Sequence, residues 1–194
     1  LHRTFQRRYD SAMHDPRNDT LARVIVGHSL KLKKGEKVLI QGNGITTEPL
    51  VRAVIRAAKA VGALPVYKLI HPQTEREWLK NADPEMLRLA AEADCFQMKL
   101  MDAYVGFSAP ANALELSDIP GEVTSLYQEL YYGPVHMKIR LPKTRWVVLR
   151  YPTDAFAQSA GMSGEAFEDW FYKVCTVDYS RMGRAMETLK ALME

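Results

Sequence analysis

The chain has 194 residues, of which 47% are hydrophobic and 25% charged, enough to bury a sizeable core in the manner of an ordinary globular protein. It has no run of about 18 apolar residues, which excludes a membrane-spanning helix. The formal charge is +3, but residues 1–12 hold Arg3, Arg7 and Arg8 against Asp10. The rest is close to neutral and makes no case for a nucleic-acid partner.

Leu1–Asp10 is polar and basic, unlike a secretory signal. Residues 1–12 are expected to be a disordered tail. Cys95 and Cys175 lie far apart and read as small buried hydrophobes in a reducing, cytoplasmic setting. Asn18 or Asp19 can cap a first helix whose inward face is Leu21, Val24, Ile25 and His28, with His28 as a core histidine. Lys37–Gln41 is a strand, and Gly42-Asn43-Gly44 leads to a helix over about 47–61. That helix should bury Leu50, Val54, Ala57, Ala58 and Val61 and stop at Gly62. Leu64–Ile70 is the next strand, parallel to the first because a helix connects them.

Further helices are expected over Thr74–Asn81 and after the cap Asp83-Pro84, the latter burying Leu87, Leu89, Ala90 and Ala93. Ala103–Phe107 and Arg145–Leu149 are further strands, the second a buried one because of Trp146-Val147-Val148-Leu149. Between them Pro120–Tyr131 reads as a helix and His136–Arg140 as extended chain. Thr153 and Ser163 cap two short helices, the second with a face of Phe167, Trp170, Phe171 and Val174. A last helix from Asp178 carries the seam Met182, Met186, Leu189 and Met193. Strands alternating with helices predict an α/β fold: a three-layer α/β/α sandwich with a mostly parallel sheet of about four or five strands, a single domain over residues 13–194.

Evident catalytic signatures are scarce. Gly42-Asn43-Gly44 sits where phosphates bind, between a strand and a helix, but Thr47 occupies the place of a third glycine and no Gly-Lys-Ser/Thr word follows; a tight turn is the better reading. No two histidines have the helical spacing that brings metal ligands to one face. Glu165, Glu168 and Asp169 near a helix start read as structural carboxylates facing water. Lys138, Arg140, Lys143, Arg145 and Arg150 form a basic series better read as a solvated edge or domain contact than as a nucleic-acid strip. The mouth of an open α/β sheet lies at the strands' carboxyl ends, which makes Gly42, Asn43, Gly44, His71 and Ser108 the candidate cavity-lining residues.

Several words in order then point to a family. They are Asp102-Ala103-Tyr104-Val105-Gly106, Glu115-Leu116-Ser117-Asp118, Arg150-Tyr151-Pro152-Thr153, Met162-Ser163, and Phe167-Glu168-Asp169 followed by Cys175. Together they resemble the M29 metallo-aminopeptidases, also called the aminopeptidase T or thermophilic metallopeptidase family, from about Met13 to the last residue. The resemblance implies the amino-terminal domain of a peptide hydrolase that uses cobalt or zinc, with Met13 as the natural start and residues 1–12 added upstream of it. It also implies a carboxyl-terminal catalytic domain as partner, a homodimer, and no catalytic or metal-binding residue within this stretch. The last helix reaches Glu194 without a glycine cap or breaker, so the polypeptide is expected to continue. Two alternatives stand beside this: a stand-alone small-molecule or protein-binding α/β module, and the amino-terminal half of an iron-dependent ring-opening dioxygenase of the same fold.

Overall fold

The structure, a computed structural model, describes residues 15–193; the expected tail over residues 1–12 lies outside the described residues. Helix α1 (Pro16–Val24) is capped by Asp15, whose carboxylate accepts from the Arg17 N–H at 2.8 Å. Pro16 occupies the first turn, where an absent N–H costs little. The cap lies upstream of the expected Asn18 or Asp19, and Asn18 serves elsewhere. It is buried, and its Oδ1 accepts from the hydroxyls of Tyr172 at 2.9 Å and Tyr151 at 3.3 Å. From Ile25 to Ser29 the winding widens to π geometry. That extra residue per turn carries His28 off the inward face. It is exposed and stacks on Tyr179 at 4.6 Å, so the expectation of a core histidine fails.

Four strands form one sheet: β1 (Lys37–Asn43), β2 (Leu64–Ile70), β3 (Ala103–Ser108) and β4 (Arg145–Arg150). Their order is β2-β1-β3-β4 and every neighbouring pair is parallel. Each crossover is helical: α2 (Glu48–Ala60) after β1, α3 (Pro72–Leu79) and α4 (Pro84–Lys99) after β2, and α5 (Gly121–Tyr127) after β3. The result is the three-layer α/β sandwich expected, with four strands.

The register sorts side chains by face. Val38, Ile40, Val105 and Phe107 point to one side, where they meet Leu21 and Ile25 of α1 and Leu50 and Val54 of α2. Each such fully buried aliphatic chain contributes about 1.5–3 kcal/mol. Ala57 is only partly buried and Val61 is exposed, so the α2 stripe is narrower than its sequence suggests. In α4 the buried residues are Leu87, Ala91 and Met98; Leu89 is exposed, and the inward stripe is rotated from the one expected.

Two larger corrections concern the second half. Past α5 the chain does not become extended. It winds on as a π-helical segment from Gln128 to Arg140, with Pro134 inside it. Proline reads locally as a helix breaker because it lacks an N–H, but the wider winding absorbs that loss and places His136 and Arg140 on one helical wall. A short turn, α6 (Leu141–Lys143), leads into β4. That strand lies at the sheet edge and is not fully buried: Val147 and Leu149 pack on the core while Trp146 and Val148 stay about half exposed.

Beyond β4, α7 (Asp154–Ser159) and α8 (Gly164–Cys175) have the caps expected of them, Thr153 and Ser163, each side-chain oxygen accepting a backbone N–H at 3.3 Å. On α8, Phe171 and Tyr172 are buried while Trp170 and Val174 are exposed. Glu168 and Asp169 do have a structural role, though not simply that of facing water: both accept from Arg17, at 2.6 and 2.7 Å, and so tie α8 to α1. The final helix, α9 (Tyr179–Met193), buries none of its described residues, and its seam of Met182, Met186, Leu189 and Met193 is exposed.

Candidate functional site

The second face of the sheet carries chemistry of another kind. Leu39, Gln41 and Asn43 of β1 alternate away from the core, in register with Lys68 and Ile70 of β2 and with Tyr104, Gly106 and Ser108 of β3. Met98, Met101 and Ile139 seal the amino-terminal end of this face against Leu39 and Tyr104. Towards the carboxyl ends the layers part and leave a cleft of about 710 Å³. Its floor is Gln41, Asn43, Tyr104 and Val148; its walls come from α3 (Glu75, Trp78), α4 (Ala90, Asp94) and the π-helical segment (Tyr131, Tyr132, His136, Arg140). Such a volume suits a small organic ligand or the end of a peptide.

The residues expected at the sheet's mouth are found as follows. Asn43 and His71 line this cleft, and Asn43 and Ser108 line two adjoining hollows of about 350 and 190 Å³. Gly42 is buried in β1 and Gly44 in the turn that follows it. Gly44 adopts φ +105°, its N–H donates to Ile70 O at 2.8 Å, and the Thr47 N–H donates to Gly44 O at 3.0 Å. Those two N–H groups are already used, as in a tight connection.

Sequence reasoning missed the helical wall. Tyr127 and Tyr131 stack at 5.1 Å, and Trp78 meets both edge-on. The Tyr131 hydroxyl donates to Asp94 Oδ2 at 2.5 Å, while Lys68 pairs with the other Asp94 oxygen. This network joins β2, α4 and the π-helical segment. Burial raises the Tyr127 phenol, and it raises Tyr131 together with the bond to Asp94. Tyr104 is pushed up to about 12 by burial, against the opposing pull of Arg140. All three remain protonated donors at neutral pH. Desolvation also raises Glu75. The tyrosines at 127, 131 and 132 are the one signal in the sequence, and they point to no wall as long as the residues after them read as extended chain.

His136 and Arg140 close the inner end. Both are buried, and the Arg140 Nε–H donates to His136 Nδ1 at 2.9 Å. Burial, and secondarily the Arg140 charge, lower the His136 pKa from 6.5 to about 4. The folded chain thus refuses a proton that the unfolded chain accepts between those values. The stability from this group is complete above pH 6.5 and disappears as pH falls towards 4, a loss of roughly 3 kcal/mol. Urea melts at pH 7 and pH 4.5 should show that loss in the wild type, and His136→Asn should lose less. An identical pH dependence in the two proteins would refute the assignment.

The other members of the basic series are dispersed. Arg145 donates to Glu36 at 2.5 Å and Arg150 lies over the Phe156 ring at 5.6 Å, while Arg140 is buried. A divalent cation does not suit the inner end of the cleft. Asp94 is committed to Lys68 and Tyr131, His136 Nδ1 is occupied by Arg140, and both cationic side chains would repel a metal. Among the described residues no three His, Cys, Asp or Glu side chains gather as a ligand set.

An all-parallel sheet between two helical layers, with a cleft at the strands' carboxyl ends, defines a doubly covered α/β protein. The family model described as thermophilic metalloprotease (M29) matches residues 14–192, so the chain belongs to the M29 family. Wild-type AmpT from Thermus thermophilus superposes with TM-score 0.63 at 20% identity, covering 83% of this chain and 43% of that one. The likeness shows the shared fold, and this chain spans less than half of that protein's length. A putative transcription regulation repressor of the LacI family from Corynebacterium glutamicum reaches TM-score 0.32 at 14% identity, over 69% of this chain and 61% of that one, which bears no argument. No curated protein matches the sequence.

Proposed function

We propose that this chain is the amino-terminal, non-catalytic domain of a metal-dependent aminopeptidase, helping to wall the active-site cavity and supporting a homodimer. The observation that carries the reading is the M29 family match over residues 14–192. The donor set at the cleft's inner end, unsuited to a cation, supports assigning the cobalt or zinc ion to glutamates, histidines and an aspartate of a carboxyl-terminal domain. Water activation and polarisation of the scissile carbonyl are the chemistry such an ion supplies when bound. A reducing, cytoplasmic setting is supported by Cys95 and Cys175, two free thiols whose pKa values burial raises.

The test compares the 194-residue chain with the product of the same reading frame extended downstream of Glu194. The longer product should release amino acids from aminoacyl-anilides with cobalt or zinc and lose that activity to a chelator. The 194-residue chain should bind no stoichiometric metal and release nothing. Turnover by the short chain would overturn the non-catalytic role, and an inert longer product would overturn the peptidase reading. A stop codon directly after Glu194 would favour the second reading, a stand-alone binding module, for which the 710 Å³ cleft is the supporting observation.

A further inference from the structure

The inner end of the cleft holds a charge without a counter-charge. Arg140 is 7% exposed, its Nε is satisfied by His136, and its Nη1 is buried with no hydrogen-bond partner. The guanidinium lies over the rings of Tyr104 at 5.0 Å and Trp146 at 5.3 Å, which offsets part of its desolvation. No described carboxylate lies within ion-pair distance of it. Asp94, the acid of the neighbouring tyrosine network, spends one oxygen on Lys68 and the other on Tyr131. Isolated buried charge is costly, and a guanidinium left with an open N–H is a built half of a carboxylate pair.

The surroundings narrow what could complete it. Accepting from Arg140 at Nδ1 leaves His136 with its proton on Nε2, a second donor on the same helical wall. Tyr127, Tyr131 and Trp78 form an aromatic side wall, good for stacking a flat or apolar body. Glu75 lines the same cleft, and desolvation raises its carboxyl.

We propose that this cleft binds a carboxylate attached to an aromatic or apolar body, with the carboxylate paired to Arg140 and the body against the tyrosine–tryptophan wall. The carboxylate can come from a free aromatic acid or from the carboxyl terminus of a peptide. The site rests on this chain's own cleft and holds whether or not the protein is a peptidase.

Calorimetric titration of the full 194-residue chain tests it with two pairs of probes: N-acetylphenylalanine and its amide, and a tetrapeptide ending in phenylalanine as free acid and as amide. At least one free acid should bind, with its amide at least tenfold weaker. Tighter binding of the tetrapeptide acid would identify a peptide terminus as the source, and tighter binding of the small acid a free metabolite. Arg140→Lys, which keeps the charge but loses the planar fork, should weaken the acid about tenfold, and Arg140→Met should erase the difference between acid and amide. Circular dichroism should show both variants folded. Acid and amide binding alike to the wild type, or no binding of any probe at millimolar concentration, would overturn the proposal without recourse to a variant. So would undiminished acid selectivity in a folded Arg140→Met protein.

Discussion

Phe107→Ala is expected to lower the unfolding free energy by about 3–5 kcal/mol. Phe107 is 2% exposed on β3, an interior strand, and lies in register with Gly42 on β1 and Leu149 on β4. Removing the ring forfeits its transfer free energy and leaves a cavity that two flanking strands cannot close without breaking their ladders. In urea the midpoint should fall by about 1–2 M with an unchanged slope. Leu192→Ala, at a position 80% exposed on α9, should change stability by less than about 0.5 kcal/mol. Comparable losses at the two positions would mean that the sheet core is not where the stability resides.

The second large effect is at the turn that leads from β1 to α2. Gly44 has φ +105°, and a Cβ there would lie 2.1 Å from the backbone oxygen of Ala109. Gly44→Ala therefore combines a backbone conformation costing about 1–3 kcal/mol in a non-glycine residue with a clash that must move β3's exit segment, about 1–3 kcal/mol more. Gly35 provides the control. It also has positive φ, +83°, but a Cβ there meets nothing within 4 Å. Gly35→Ala should show the conformational part alone, so the drop in melting temperature should be clearly larger for Gly44→Ala. Equal drops would show that the Ala109 contact carries no energy. Because Asn43 adjoins this turn and lines the cleft, the same substitution should also disturb the cleft floor.

Much of the scaffold was readable from short-range pattern. β2 spans Leu64–Ile70 as expected, and Asp83, Thr153 and Ser163 cap the helices that their positions predict. Those features depend on residues within one turn of each other, where periodicity and capping chemistry are decisive. Two of the failures lie in π-helical segments. His28 and Arg140 both sit where the helix widens to π geometry; a period of 3.6 puts the first on the wrong face, and Pro134 makes the segment that carries the second read as extended chain. Trp146 and Val148 fail differently, since a β-branched run cannot say whether its strand lies at a sheet's centre or edge.

The candidate site divides along the same line. Asn43, His71 and Ser108 could be located beforehand because strand carboxyl ends form the mouth of any such sheet. The aromatic wall and the His136–Arg140 pair could not, because they depend on a helix continuing through Pro134 and packing back over β3. Family membership, the order of strands and helices, and most caps were thus carried by the linear chain, since each rests on neighbouring residues or on words in sequence. Which face each helix buries, and that an arginine from one segment meets a histidine, a tyrosine and a tryptophan around a cleft, was decided by packing. Burial and long-range pairing depend on three-dimensional closure and leave no local trace.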